Sequence, residues 1–221
     1  MGVRSSQPRS PNLNKTDGHL LEYFRQNFGA GGGANSAPSV VLSGMTASGG
    51  IINDYTEPSS GNVYRAHVFT ASGVFNVTEL GDFPASVDYL IIAGGGGGAD
   101  DGGPGVSGAG GAGGYKSTMP EGTGGGQSAK STITVSAGSY PITVGGGGAA
   151  GANGGDSVLT SPTAPETVTS LGGGAGGGNG AGVAGGSGGG GGRPAGAGGA
   201  ASPPTQGYAG GTGSPAVNAG G

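Results

Sequence analysis

Apolar residues fall into short runs along the chain, and the spacing within those runs changes from one part to the next. Near the start, Leu20, Leu21, Phe24 and Phe28 recur at helical spacing, with Thr16 and Asp17 as candidate N-caps and Gly29 as a stop. The pattern predicts one short amphipathic helix of about ten residues, marginal in water by itself, so its apolar stripe must dock on another surface. Gly31, Gly32 and Gly33 follow as a hinge and isolate the helix from what comes next. This makes residues 1–36 an N-terminal arm and attachment helix that docks to another subunit or partner.

From residue 37 to 93 the runs change character. Residues 39–43, 51–55, 62–70, 74–78 and 87–93 are rich in Val, Ile, Tyr, Phe and Thr, which predicts a small β domain. Ala71-Ser72-Gly73 suits a tight hairpin turn between two of these runs. The run Tyr89-Leu90-Ile91-Ile92-Ala93 is apolar at both parities and predicts a central, covered strand. It enters Gly94–Gly98 directly, which suggests one continuous structure rather than a domain with a loose tail.

Residues 94–221 form a Gly-rich domain with β interruptions. Residues 131–136 and 140–144, joined through Ala137-Gly138-Ser139, predict a β-hairpin over 131–144, and 158–159 and 167–171 are weaker strand candidates. Tyr115, Tyr140 and Tyr208 are the few large side chains available to pin the glycine layers. The fold class expected is mostly β: an arm with a small helix, a small β domain, then a Gly-rich β or polyglycine-II-like helix bundle, assembled as an intertwined oligomer.

Composition sharpens this picture. Of 221 residues, 61 are Gly and 14 Pro, far above ordinary usage of roughly 7% and 5%. Residues 94–221 hold 49 of the 61 glycines, while the large aliphatics and Phe concentrate before residue 94. Only 9% of residues are charged and the net charge is −4, so nothing electrostatic favours nucleic acid. The chain has no Cys, hence no disulfide and no thiolate chemistry. No apolar run reaches the roughly 20 residues that span a bilayer.

Three readings compete for the glycine: flexible linker, collagen, or a packed bundle of extended helices with three residues per turn. The glycine phase separates them. Gly102, Gly105, Gly108, Gly111 and Gly114 keep a period of three. Across 172–192, one face in three carries Ala175, Ala181, Ala184 and Ser187, while Asn179 and Val183 are the exceptions to glycine on the other two. A linker has no reason to keep such a phase, and collagen would keep it longer with more Pro. An extended three-fold helix makes no internal hydrogen bonds, so every N–H and C=O needs a neighbour when buried. Glycine lets those neighbours approach. Ordering each residue costs about 1–2 kcal/mol and each backbone hydrogen bond returns ~0.5–1.5 kcal/mol, so apolar clamps and oligomerisation must complete the balance.

Chemical motifs are sparse. Gly103-Pro104-Gly105-Val106-Ser107-Gly108 matches G-x-G-x-x-G, but no helix is expected after it and glycine this dense produces such matches by chance. Gly124 to Ser131 departs from a phosphate loop at Ala129 and runs into a strand pattern instead of a helix. His19 and His67 are too few and too separated for a metal centre, and His67 reads as a strand-surface residue. Asp100-Asp101 reads as a solvated turn, without the further oxygen ligands Ca²⁺ needs. The chain reads as non-enzymatic, with no catalytic, cofactor or metal site. The one candidate site is the attachment helix of Leu20, Leu21, Phe24 and Phe28.

The stretch from Tyr64 to Val77, then Val87-Asp88-Tyr89-Leu90-Ile91-Ile92-Ala93-Gly94, resembles the start of the glycine-rich domain of bacteriophage tail-fibre and adhesin proteins. Tyr140-Pro141-Ile142-Thr143-Val144-Gly145 and Gly154-Gly155-Asp156-Ser157-Val158 look like that domain's internal repeats. The arm, with Leu20-Leu21-Glu22-Tyr23-Phe24, resembles the attachment segment of marine phage structural proteins. The resemblance covers about residues 62–221. It implies a virion structural protein of tail-fibre or adhesin type, a homo-oligomer expected to be a trimer. Its N-terminal segment would attach to other tail or capsid proteins, and its Gly-rich domain would meet a host surface receptor, a glycan or an outer-membrane protein. Residues 214–221 lack the capping strand of the fuller pattern, as expected of a portion of a longer chain. Two rivals stay open: a virion decoration or tail protein without receptor contact, and a free glycan- or ice-binding Gly-helix protein.

Overall fold

The computed structural model describes residues 42–100, 107–162 and 167–214. The attachment helix, with Leu20, Leu21, Phe24 and Phe28, and the glycines at 102 and 105 lie outside the described residues. The chain divides into Met1–Leu42 and Ser43–Gly221, and the account below concerns the second unit.

The described residues are mostly β, in small, open antiparallel sheets, with a single 3-10 turn at Gly124–Gly126 as their helix. Eleven strands are described: β1 Thr46–Ser48, β2 Ile51–Thr56, β3 Val63–Val68, β4 Gly73–Glu79, β5 Ser86–Val87, β6 Leu90–Ile92, β7 Tyr115–Ser117, β8 Ile133–Thr134, β9 Gly138–Thr143, β10 Ser157–Leu159 and β11 Val168–Ser170. The largest sheet has the order β1-β4-β9-β10-β11. Three two-stranded pairs, β2-β3, β5-β8 and β6-β7, complete the set.

Register explains where the core forms. Phe75 pairs with Tyr140, Val77 with Gly138 and Ala47, and Leu159 with Ile142 and Val168. Cross-strand partners project to one side, so one face of the five-stranded sheet carries Ala47, Val77, Phe75, Tyr140, Ile142, Leu159 and Val168. Ile133 and Val135 close the cluster from the β8 region, and Phe75, Val77 and Tyr140 are almost wholly buried. The opposite face carries Asn76 and Ser139, whose side chains hydrogen-bond at 2.9 Å. The 74–77 run therefore alternates cleanly, with Phe75 and Val77 inward and Val74 and Asn76 toward solvent.

Several local expectations are corrected. Residues 131–136 and 140–144 do not form a hairpin, because β8 pairs with β5 and β9 lies between β4 and β10. Ala71-Ser72-Gly73 does not join a pair either, since β3 pairs with β2 whereas β4 pairs with β1 and β9. The 89–93 run is not a covered central strand: among the described strands β6 pairs only with β7, with β10 and β11 also nearby, and Leu90 and Ile92 are more than half exposed. In each case the apolar pattern placed a strand correctly, and partners distant in sequence took the place of the nearest neighbour. Residues 42 and 43 lie outside the strands, so that part of the expected 39–43 run is coil. Across residue 93 the sheet is continuous: β1 and β4 share it with β9, β10 and β11.

His67 is half-buried rather than on the open surface of its strand. Its Nδ1 lies 2.7 Å from the Gly49 carbonyl oxygen, and its ring meets the Phe75 ring edge-on at 5.0 Å. These contacts tie the β2-β3 ribbon to the main sheet at one end. Gly49 adopts φ +108, and a Cβ there would collide with the Val74 carbonyl, so the turn into the ribbon requires glycine.

Candidate functional site

The glycine-rich segments leave the sheets as extended strands of backbone whose hydrogen bonds recur every third residue. The N–H groups of Ala93, Gly96 and Ala99 donate to the carbonyls of Gly114, Gly111 and Gly108 at 3.0, 2.8 and 3.1 Å. In turn the N–H groups of Gly108, Gly111 and Gly114 donate to Gly177, Gly174 and Leu171 at 2.7, 2.8 and 2.7 Å. Ordinary strands bond to two neighbours in one plane. Here the bonds to any one neighbour recur at every third residue.

Segment 171–178 sits at the centre. Gly173 and Gly176 donate to Gly94 and Gly97 at 2.8 and 2.9 Å, and Gly174 and Gly177 donate to Ser187 and Gly190 at 2.9 and 2.8 Å. The third line is served by side chains: Gly172 N–H donates to Asp156 Oδ1 and Ala175 N–H to Asn153 Oδ1, both at 2.8 Å. Leu171 N–H donates to Gln206 Oε1 at 2.8 Å. Every N–H from Leu171 to Gly177 thus has an acceptor, and residues 172–177 are all buried.

Crowding explains the composition. A Cβ on Gly94, Gly96 or Gly174 would fall well inside van der Waals contact of the backbone carbonyl of Gly146, Gly174 or Val183 respectively. Gly95 and Gly98 point outward, where an added Cβ would sit 3.6 and 3.7 Å from the nearest atom, and at Gly146 nothing lies within 4 Å. The side chains that do occur at this three-residue spacing obey the same geometry: Ala109 and Ala112, Ala181 and Ala184, and Ala197 and Ala200 are all exposed. The expected single face over 172–192 is corrected, because the backbone reverses near 179 and again near 186. Antiparallel bonds from Val183 and Gly186 to Ala175 and Gly172 fold that stretch back on itself. Ala175 is consequently buried while Ala181 and Ala184 face solvent.

Of the three tyrosines expected to pin the glycine layers, Tyr140 belongs to the sheet core and Tyr208 is largely exposed. Tyr115 lies on β7 and donates its N–H to the Gln206 carbonyl at 3.0 Å. The pins are polar instead: Asn153, Asp156, Gln206 and Ser157, whose Oγ accepts the Gly145 N–H at 3.0 Å. The available signal was the three-residue spacing of Asn153 and Asp156, the same period as the glycines.

Bond direction also orders the ends of the segments. Gly148 and Gly151 donate to Gly95 and Gly98 in parallel, and segments 171–178 and 187–192 run the same way. The turns at 149–151, 178–180 and 193–195, and the segment end at 99–100, therefore lie at one end, opposite the strands. They carry Asp100, Asn179, Pro194 and Ala195, all exposed, and Arg193, half-buried.

The described residues offer little for catalysis. No group of three His, Cys, Asp or Glu among them could hold a metal ion. Burial pushes the Tyr89 hydroxyl up, and burial, then neighbouring Lys130, pushes the Lys116 amine down. Neither lies in a paired acid–base arrangement. No described helix is long and apolar enough to cross a membrane. Comparison with known proteins found no matching family model, no similar characterised protein and no similar solved structure.

Proposed function

We propose that this chain is a non-enzymatic virion structural protein of tail-fibre or adhesin type, a homo-oligomer held to tail or capsid proteins through its N-terminal segment. Its Gly-rich half is a polyglycine-II-like bundle that displays its turns to a host surface receptor, a glycan or an outer-membrane protein. The observation that supports this reading is the gathering of three turns at the end of the bundle opposite the strands. A rigid scaffold whose side-chain-bearing turns cluster at one end is the arrangement that recognition loops use. The scaffold itself offers mostly backbone and methyl groups, so specificity falls to residues such as Asp100, Asn179 and Arg193.

The test uses particles that carry the chain. Antibodies raised against 172–214 should decorate the particle surface and block adsorption to the host. Decoration without a block would favour a structural protein with no receptor role, and absence from the particle would overturn the virion reading.

A further inference from the structure

The geometry points to the β2-β3 ribbon as a self-association surface, on which a second copy of this chain packs face to face. The ribbon pairs Ile51 with Val68, Asn53 with Ala66 and Tyr55 with Tyr64 on one side, and Ile52 with His67, Asp54 with Arg65 and Thr56 with Val63 on the other. Antiparallel partners share a side and successive pairs alternate. The first side is thus free of charge. Its large members, Ile51, Tyr55, Tyr64 and Val68, are 64, 52, 46 and 47% exposed, although the Tyr55 and Tyr64 rings stack on each other at 5.7 Å.

Three observations select the occupant. A two-stranded ribbon is marginal in water and needs a further layer for stability, and the described contacts fix this one to the main sheet at its His67 end. The only ion pair on it, Arg65 Nε to Asp54 Oδ1 at 2.7 Å, lies on the opposite side and is already satisfied, so the apolar side offers no charge pattern for a different partner to read. The apolar side is also self-complementary. Laid against a copy running the other way, the Ile51–Val68 end of one ribbon meets the Tyr55–Tyr64 end of the other, and the small Asn53–Ala66 pairs meet at the centre. That is an isologous, twofold contact. Four half-exposed side chains from each copy bury on the order of 900 Å² in total, at the lower end of specific interfaces, so the association should depend on concentration.

This inference rests on the homo-oligomer reading and specifies its symmetry: copies meet in pairs across the ribbon, a contact that by itself does not close a trimer. The test uses the purified full chain. Sedimentation should show even-numbered species, with Tyr64→Lys raising the dissociation midpoint at least tenfold. Thr56→Lys, on the charged side of the ribbon, should leave it unchanged. Because the natural chain has no Cys, Ala66→Cys gives a single thiol, and a short bis-maleimide suits the roughly 10 Å between packed sheets. It should join two Ala66→Cys chains and leave Thr56→Cys chains unjoined. Unchanged amide protection over 172–177 establishes that the variants fold. A monomeric wild type overturns both this inference and the homo-oligomer reading. A wild-type oligomer that tolerates Tyr64→Lys, or that Ala66→Cys fails to cross-link, overturns the ribbon contact alone.

Discussion

Asn153 Oδ1 accepts the N–H of Ala175 at 2.8 Å, so a side chain stands where a backbone carbonyl serves the other two lines of the central segment. Ala175 is 1% exposed, and its amide has no acceptor of equal quality once that oxygen is gone. Asn153→Ala should therefore destabilise the protein by about 1–3 kcal/mol, the cost of leaving a buried donor unmade. Asn153→Asp keeps the oxygen and should recover most of the loss. Thermal or denaturant unfolding of the two variants measures the difference.

Glycine positions should divide sharply by direction. Gly174→Ala places a methyl group against the Val183 carbonyl, and forcing it into this packing should cost at least ~1–3 kcal/mol. At Gly95, Gly98 and Gly146, by contrast, an added methyl group meets open space or ordinary contact. Alanine there should be neutral or stabilise by about 0.4–1 kcal/mol, because it restricts the unfolded chain. Equal effects at inward and outward positions in an unfolding series would contradict the three-direction packing.

In the sheet core, the Tyr140 hydroxyl accepts the Ser136 N–H at 2.7 Å and donates to the Ser136 carbonyl at 3.0 Å. Tyr140→Phe keeps the ring against Phe75 but strands that amide, for an expected loss of ~1–2 kcal/mol. Tyr140→Ala also removes the ring from a position 1% exposed, and should cost about 3–5 kcal/mol. Calorimetry of the pair separates the polar contribution from the packing contribution.

Asp82 carries a pH dependence of defined sign. Its Oδ2 accepts the Ser43 N–H at 2.8 Å and the Ser43 hydroxyl at 3.0 Å, and these bonds, the backbone one foremost, hold its carboxyl below the usual aspartate range. A depressed folded value means the tether is present above the unfolded aspartate pKa of about 3.9 and is lost as pH falls through the folded value. The protection of the Ser43 amide, relative to its intrinsic exchange rate at each pH, should fall on acidification below that range, and Asp82→Asn should weaken the tether at neutral pH. An Asp82 carboxyl that titrates by NMR at or above the ordinary value would contradict the assignment.

Much of the strand inventory was legible because β-branched and aromatic runs mark strands wherever they pair. The runs at 51–55, 62–70, 74–78, 158–159 and 167–171 all contain described strands. Pairing was not legible. β4 and β9 meet across more than sixty residues, and nothing local to Ala137-Gly138-Ser139 reveals that Phe75 is the neighbour of Tyr140. The acceptors on Asn153, Asp156 and Gln206 were missed for a related reason: a polar side chain in a glycine run reads as solvated until the segment that donates to it is known.

By itself the sequence determined where glycine concentrates, with 49 of the 61 in residues 94–221. It also determined which residues could be strands, since that depends on side-chain shape and alternation. Only the tertiary structure decided which segments lie side by side, where the chain reverses within 172–192, and which glycines are crowded or free. Those outcomes depend on hydrogen bonds from donors that are nearly identical along the chain. An unbonded Gly N–H carries no mark of its partner, so direction and register emerge only when the segments pack.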